Sequence, residues 1–298
     1  MKKRRSPIQT AKAAGFTLVE AVIAIVVAAI LAVGIIDYIG NSVEGYTSAA
    51  SRNQLASSGR TVIDRLALEL ENAVPNSIRV TPTTATGDQC LEFLPFEAVT
   101  TSIDAPTTGQ GSQTFDIVQS RPGFDSSSAG GYYAVVYPNN TGDLYDVGGA
   151  TDRGSVAVID SFGGVSGGVQ TITLTEQHRF PRRSPVERMF ITRQPVTFCV
   201  VDNRIYRYSE YGFQATQCAS PDVAALGVDW NDCLPGSPAT GRHLITDNVD
   251  NSVDGGLTAF TYSPSALRRN AIVALDLNFT ARGDTVRLTH DVLARNVP

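Results

Sequence analysis

The chain of 298 residues is poor in the groups on which catalysis and metal binding usually rest. Its three histidines, His178, His243 and His290, stand far apart, and none of its four cysteines forms a C-x-x-C pair, so a zinc site of ordinary spacing is excluded. There is no G-x-S-x-G elbow. The glycine-rich strings Gly163-Gly164-Val165-Ser166-Gly167-Gly168 and Gly130-Gly131 lack both the strand–GxGxxG–helix context and the GK[ST] ending of nucleotide sites, and read as turns. Basic residues are fewer than acidic ones, 24 against 29. Five of the basic residues (Lys2, Lys3, Arg4, Arg5 and Lys12) precede Phe16, where no acidic residue stands, so the chain from Phe16 onward is strongly acidic. Nucleic acid is therefore not an expected partner. Proline is missing throughout residues 16–74, which leaves a long helix there uninterrupted.

What the sequence does have is an apolar run with a carboxylate near its start. Residues 21–36 are uncharged and mostly aliphatic, and Phe16-Thr17-Leu18-Val19-Glu20 precedes them. As a helix, residues 16–36 span roughly 31 Å, close to the hydrocarbon thickness of a bilayer. A charge inside such a segment costs on the order of 2.5–3.5 kcal/mol, so Glu20 needs a partner. The basic leader should stay cytoplasmic by the positive-inside rule. The one small-residue boundary, Ala13-Ala14-Gly15, lies before the apolar run, whereas a secretory signal is cut after it. An uncleaved signal anchor is the plainer alternative; in either case the bulk of the chain is expected outside the cytoplasm.

Leader, Gly15, Phe16, Glu20 and apolar helix together resemble the processing signature of type IV prepilins. The resemblance implies that a prepilin peptidase cuts between Gly15 and Phe16, that Phe16 becomes N-methylated, and that Glu20 serves assembly. It further implies other major and minor pilins and an inner-membrane assembly platform as partners, with the N-terminal helix in the membrane. Downstream, Cys90-Leu91-Glu92-Phe93-Leu94-Pro95, Pro195-Val196-Thr197-Phe198-Cys199-Val200, Arg204-Ile205-Tyr206-Arg207-Tyr208 and the tail from Leu288 are similar to the large minor pilins of the mannose-sensitive hemagglutinin pilus. Many major pilins break their helix with a proline; here Gly34, Gly40 and Gly45 are the only weak points. A minor pilin that initiates or caps a type IV pilus is the leading reading. A minor pseudopilin of a type II secretion system and a membrane-anchored periplasmic enzyme are the alternatives.

The expected organisation is a leader (1–15), a membrane helix (16–36), an amphipathic continuation (37–74) and a β-rich region (75–298). Leu55, Gly59, Val62, Leu66, Leu70 and Ala73 recur at i+3/i+4 spacing, and Pro75 ends the pattern. Short strands are predicted at 77–80, 90–96, 132–137, 155–159, 169–174, 189–192, 196–201, 204–208, 257–262, 271–279 and 285–291. Asp202-Asn203 reads as a hairpin turn, and residues 97–131 as a polar loop or insertion edge. The order of helix, then sheet, is α+β with the amphipathic helix half packed on an antiparallel sheet, which resembles the pilin fold.

Outside the cytoplasm, four cysteines read as two disulfides. Three pairings are open; Cys218–Cys233 would close a Pro/Gly/Asp-rich loop and Cys90–Cys199 would join two strands. Asp250-Asn251-Ser252-Val253-Asp254-Gly255 opens like a calcium loop, with Asp247, Asp250 and Asp254 as candidate ligands. Its twelfth position is Thr261, where an EF-hand needs a bidentate Glu, so an acidic turn is expected and no cofactor is assigned. Arg179, Arg182, Arg183 and Arg188 form a basic stretch, read as a solvated loop.

Overall fold

A computed structural model describes residues 15–81, 89–120, 131–145, 154–217, 234–235, 238–252, 256–265 and 270–294. The chain divides into two compact units, Met1–Ser51 and Arg52–Pro298. One helix, α1 (Leu18–Glu71), runs through the boundary between them without a break. Within the first unit its large apolar side chains, from Leu18 to Tyr46, are all exposed, so this part of the helix has no core of its own.

Within the second unit the helix is one-sided. Leu55, Gly59, Val62, Ile63, Leu66, Ala67 and Leu70 are buried, a stripe at helical spacing, while Arg60, Asp64 and Arg65 stay in solvent. Two sheets cover that stripe. The first has five antiparallel strands in the order β1-β2-β9-β10-β11: β1 (Arg79–Thr81), β2 (Gln89–Phe93), β9 (Val196–Val201), β10 (Arg204–Tyr208) and β11 (Arg242–Thr246). The second has three, β12 (Phe260–Ser263), β13 (Ala271–Ala281) and β14 (Asp284–Ala294). Val273, Leu275, Leu277 and Phe279 alternate along β13 toward the helix and meet Leu91, Phe93, Phe198 and Val200 in a single core. The Gln89 side chain sews the sheets together: its amide donates to the Phe260 carbonyl at 3.0 Å and accepts the Phe260 N–H at 2.7 Å. Fold class is thus as expected, α+β with an antiparallel sheet domain on the long helix.

At Gly59 helix and sheet lie close together. A Cβ there would stand 2.7 Å from Leu288 Cδ1 and 2.8 Å from Phe279 Cδ2. Gly59→Val should therefore destabilise the protein by about 1–3 kcal/mol through overpacking. Urea unfolding of the detergent-solubilised chain checks this; an unchanged midpoint would mean that Leu288 and Phe279 can swing aside.

A third sheet departs from the sequence reading. Residues 97–131 are not only a loop: they contain most of β3 (Phe96–Thr101) and all of β4 (Ser112–Val118), the two ends of a six-stranded antiparallel sheet. Its order is β3-β8-β5-β6-β7-β4, with β5 (Tyr132–Val136), β6 (Val156–Ser166), β7 (Val169–His178) and β8 (Arg188–Thr192). The outer strands meet through an isolated Ser102–Ile117 bridge and an Ile103 N–H to Asp116 carbonyl bond of 2.8 Å, so the sheet closes on itself around its own apolar core. All six strands lie between Cys90 and Cys199 in sequence.

Residues 90–96, expected as one strand, are two. Pro95 has no N–H to donate and falls at a kink between β2 and β3; Pro195 sits in the matching break between β8 and β9. The residues just after α1 fill the kink, with Val74 N–H donating to the Leu94 carbonyl (2.8 Å) and Phe96 N–H to the Asn72 carbonyl (2.9 Å). Gly163 and Gly164 are a second correction. They lie inside β6 at a register shift, and the turn is made by Gly167 and Gly168, both at positive φ.

Candidate functional site

The segment around the expected cleavage point is built by the start of the helix. Gly15, Phe16 and Thr17 precede α1, and Thr17 caps it: Thr17 Oγ1 accepts the Glu20 N–H at 3.3 Å and the Thr17 carbonyl accepts the Ala21 N–H at 3.1 Å. Thr17 and Glu20 thus stand in the T-x-x-E arrangement of a capping box. The Glu20 carboxylate occupies the first turn, where the unsatisfied N–H groups of the helix favour negative charge. Sequence reading missed this role for Thr17, although the spacing carried the signal. Phe16 stands immediately ahead of the cap and is exposed, as are Gly15 and Glu20. Gly15 has no left-handed φ, and a Cβ there would meet nothing within 4 Å. The fold itself makes no demand for glycine at that position.

Helix α1 carries the one segment among the described residues that is long and apolar enough to cross a membrane. That segment lies near the N-terminus and none of it is buried.

The strongest electrostatics lie elsewhere, in an ion pair between β1 and β2. Arg79 and Glu92 are cross-strand partners. Arg79 Nε donates to Glu92 Oε2 at 2.5 Å, and the Glu92 side chain is fully buried. Tyr211 O–H donates to Glu92 Oε1 at 2.9 Å, with Thr197 Oγ1 2.7 Å from the same phenol. The remaining guanidinium nitrogens donate to the carbonyls of Ala215 (2.8 Å) and Gln214 (2.7 Å), and the guanidinium lies 3.6 Å from the centre of the Tyr145 ring. Burial pushes the Glu92 carboxyl above the usual carboxylate range against the opposing pull of Arg79 and the hydrogen bonds from Arg79 and Tyr211. Burial first, then the Glu92 charge, raises Tyr145 and Tyr211 well above the ordinary tyrosine range. The guanidinium, carboxylate and phenol bond to one another and to the carbonyls of Gln214 and Ala215, so the cluster fixes the 211–217 segment against β1 and β2.

Cys90 and Cys199 form a disulfide between directly paired positions of β2 and β9. Cys218, Cys233 and Asp254 lie outside the described residues. Asp250 caps its own turn, accepting the Ser252 N–H at 2.9 Å, and its N–H donates to the Asn278 carbonyl at 2.9 Å; Asp247 is exposed. Among the described residues no group of three or more His, Cys, Asp or Glu side chains could hold a metal ion. In the basic stretch, Arg183 pairs with Glu187, and Arg179 donates to the Gly109 carbonyl at 3.2 Å. Arg183 also lines a polar cavity of about 290 Å³ with Ser102, Asp104, Thr107 and Ser184, which shares no lining residue with the Arg79–Glu92 cluster or the disulfide.

Residues 10–36 match the prokaryotic N-terminal methylation motif. No curated protein and no solved structure matches the chain. The matched stretch spans Gly15, Phe16 and Glu20 and the first part of α1, so the capped helix start coincides with a prepilin-type motif. That motif implies processing by a prepilin peptidase and assembly with other pilins. It is consistent with anchoring by a single N-terminal helix, and it suggests a structural rather than a catalytic protein.

Proposed function

We propose that the chain is a minor pilin that helps to initiate or cap a type IV pilus of the mannose-sensitive hemagglutinin kind, resembling its large minor pilin MshO. The observation that carries the reading is the coincidence of the methylation motif with a capped helix whose apolar side chains are exposed through residue 46. A surface of that composition needs lipid before assembly and other helices after it. The second unit supports a minor role, since Arg52–Pro298, with three sheets, is bulky for a subunit repeated along a shaft.

On this reading Gly15 is dictated by the peptidase, because the fold leaves room for a side chain there. Cleavage creates an ammonium on Phe16, which methylation leaves positive, and Glu20 four residues on is its natural counter-charge, within a helix or between neighbours. The second unit then faces the periplasm while the leader stays cytoplasmic.

Glu20→Ala is expected to be processed, folded and inserted, yet recruited into filaments or tip complexes at well under a tenth of the wild-type level. Co-purification with partner pilins, together with N-terminal sequencing of the mature protein, checks both halves of the reading. Wild-type recruitment of the variant would remove Glu20 from assembly, and an intact Met1 on the mature protein would remove the processing step. Recovery with a secretin and pseudopilins in place of a pilus motor and major pilin would assign the same helix to a type II secretion system.

A further inference from the structure

At one end of the closed six-stranded sheet, two connections face each other. Residues 102–111 join β3 to β4, and residues 179–187 join β7 to β8. They are tied at two points: Ser102 N–H donates to the Glu187 carbonyl at 2.7 Å, and Phe180 N–H to the Pro106 carbonyl at 2.8 Å. The polar cavity of about 290 Å³ opens between those connections. Ser102, Asp104 and Thr107 form one wall, Arg183 and Ser184 the other, and Val136 at the end of β5 joins them. Ser102, Val136 and Ser184 are buried, whereas Asp104 and Arg183 stand exposed at the rim. Pro106, Pro181 and Pro185 fix the backbone of both walls, and Glu187 N–H closes a turn on the Ser184 carbonyl at 3.0 Å. The walls are thus set before anything enters, which lowers the cost of binding.

The lining keeps hydrogen-bonding capacity that the chain does not use. Asp104 Oδ1 accepts the Asp116 N–H at 2.6 Å, but Oδ2 has no partner among the described residues, and Asp104 makes no ion pair there. Arg183 meets Glu187 through Nη2 alone, which leaves Nε and Nη1 to donate. Ser184 Oγ accepts the Arg188 N–H at 3.1 Å, so its own proton remains to donate. The Thr107 hydroxyl bonds to no group among the described residues. A carboxylate on one wall and a guanidinium on the other therefore share the cavity without pairing with each other.

From this arrangement we infer that the cavity binds a small zwitterion, an amino acid whose ammonium meets Asp104 and whose carboxylate meets Arg183. A simple anion would face the Asp104 carboxylate, and a simple cation would face the Arg183 guanidinium. A molecule carrying both charges is attracted at both walls. The guanidinium also suits a carboxylate in shape, since its remaining N–H groups can donate in parallel. An uncharged polyol could use the hydroxyls of Thr107 and Ser184 but would gain nothing from the opposed charges. The volume lies just below the roughly 300–1,000 Å³ of pockets that take drug-sized ligands, so the ligand is small. The inference does not rest on the pilus reading.

Isothermal titration of the detergent-extracted full chain tests it. Glycine, L-alanine, β-alanine and γ-aminobutyrate are the probes, because they space the two charges differently. At least one of them should bind with a Kd of about a millimolar. Acetylating the amine of that probe, or amidating its carboxylate, should weaken binding about tenfold, since each removes one charge-assisted contact. Asp104→Asn keeps an oxygen for the Asp116 N–H and should weaken the unmodified probe about tenfold as well. Arg183→Gln should do the same, and the exposed Glu187 pair that it gives up contributes little to stability. Arg182→Gln, next in sequence but outside the cavity lining, should leave binding unchanged. No heat from any of the four probes at tens of millimolar overturns the inference. So does binding that the acetyl and amide forms, or Asp104→Asn, leave unchanged. Binding of glucose or inorganic phosphate in place of the amino acids also overturns it, and gives the cavity to a polyol or an anion. The acetyl and amide forms are read on the wild-type chain, so the outcome does not hang on how a variant folds.

Discussion

Arg79→Ala is expected to destabilise the second unit by about 3–5 kcal/mol, the usual cost of leaving one member of a buried pair without its partner. Glu92 keeps only the Tyr211 hydroxyl, while the carbonyls of Gln214 and Ala215 lose their donors. The loss should depend on pH with a definite sign. Burial already raises the Glu92 pKa in the folded state, so the native protein binds that proton more tightly than the unfolded chain does. Its contribution is then full below the unfolded carboxylate range and is lost as pH rises through the folded value. Removing Arg79 takes away the main influence opposing the rise, which carries that window upward. The melting temperature of Arg79→Ala should fall further below wild type at pH 8 than at pH 5. Adding Glu92→Gln should recover much of the deficit, since it deletes the unbalanced charge. An equal deficit at both pH values would show that the guanidinium acts through packing on Tyr145 alone.

Replacing both Cys90 and Cys199 by Ala should cost about 2–5 kcal/mol. The bridge spans 109 residues, a loop long enough for the chain-entropy contribution to approach its upper range. Both cysteines are buried beside Val201 and Tyr208, so the substitution also leaves a small void on that face of the five-stranded sheet. Unfolding midpoints of the double variant, and of the wild type under reductant, should fall together. A wild-type midpoint indifferent to reductant would mean that the core between β2 and β9 suffices without the bond.

The sequence revealed most where a single physical pattern ran unopposed. A proline-free apolar run followed by an i+3/i+4 stripe specified a helix over residues 16–74, and it is found at Leu18–Glu71. Alternation specified β13, and Asp202-Asn203 makes its turn with both residues at positive φ. Edge strands were harder to read. β4 buries only Phe115 and Ile117, and β11 buries no residue fully, so their polar positions resemble loop. The kink at Pro95 was hidden because apolar residues flank it, Leu94 buried and Phe96 half-buried, which reads as one strand. At the N-terminus the spacing Thr17-x-x-Glu20 spelled a helix cap, but the cost of Glu20 in lipid drew attention to its charge rather than to its position in the first turn. The Arg79–Glu92–Tyr211 cluster was not legible at all. Its members are brought together by strand register and by a return of the chain from residue 211, neither of which leaves a spacing signature.

The position of the disulfide has a mechanical consequence. Because β3 to β8 all lie between Cys90 and Cys199, a pull along the chain from α1 toward the C-terminus crosses the sulfur–sulfur bond and never enters the closed sheet. Fully extended, the bypassed residues would supply about 370 Å of slack. With the bond intact that length is withheld, and a subunit under tension can lengthen only through the strands outside the bridge. Reduction would convert the six-stranded sheet from a shielded appendage into part of the force-bearing path.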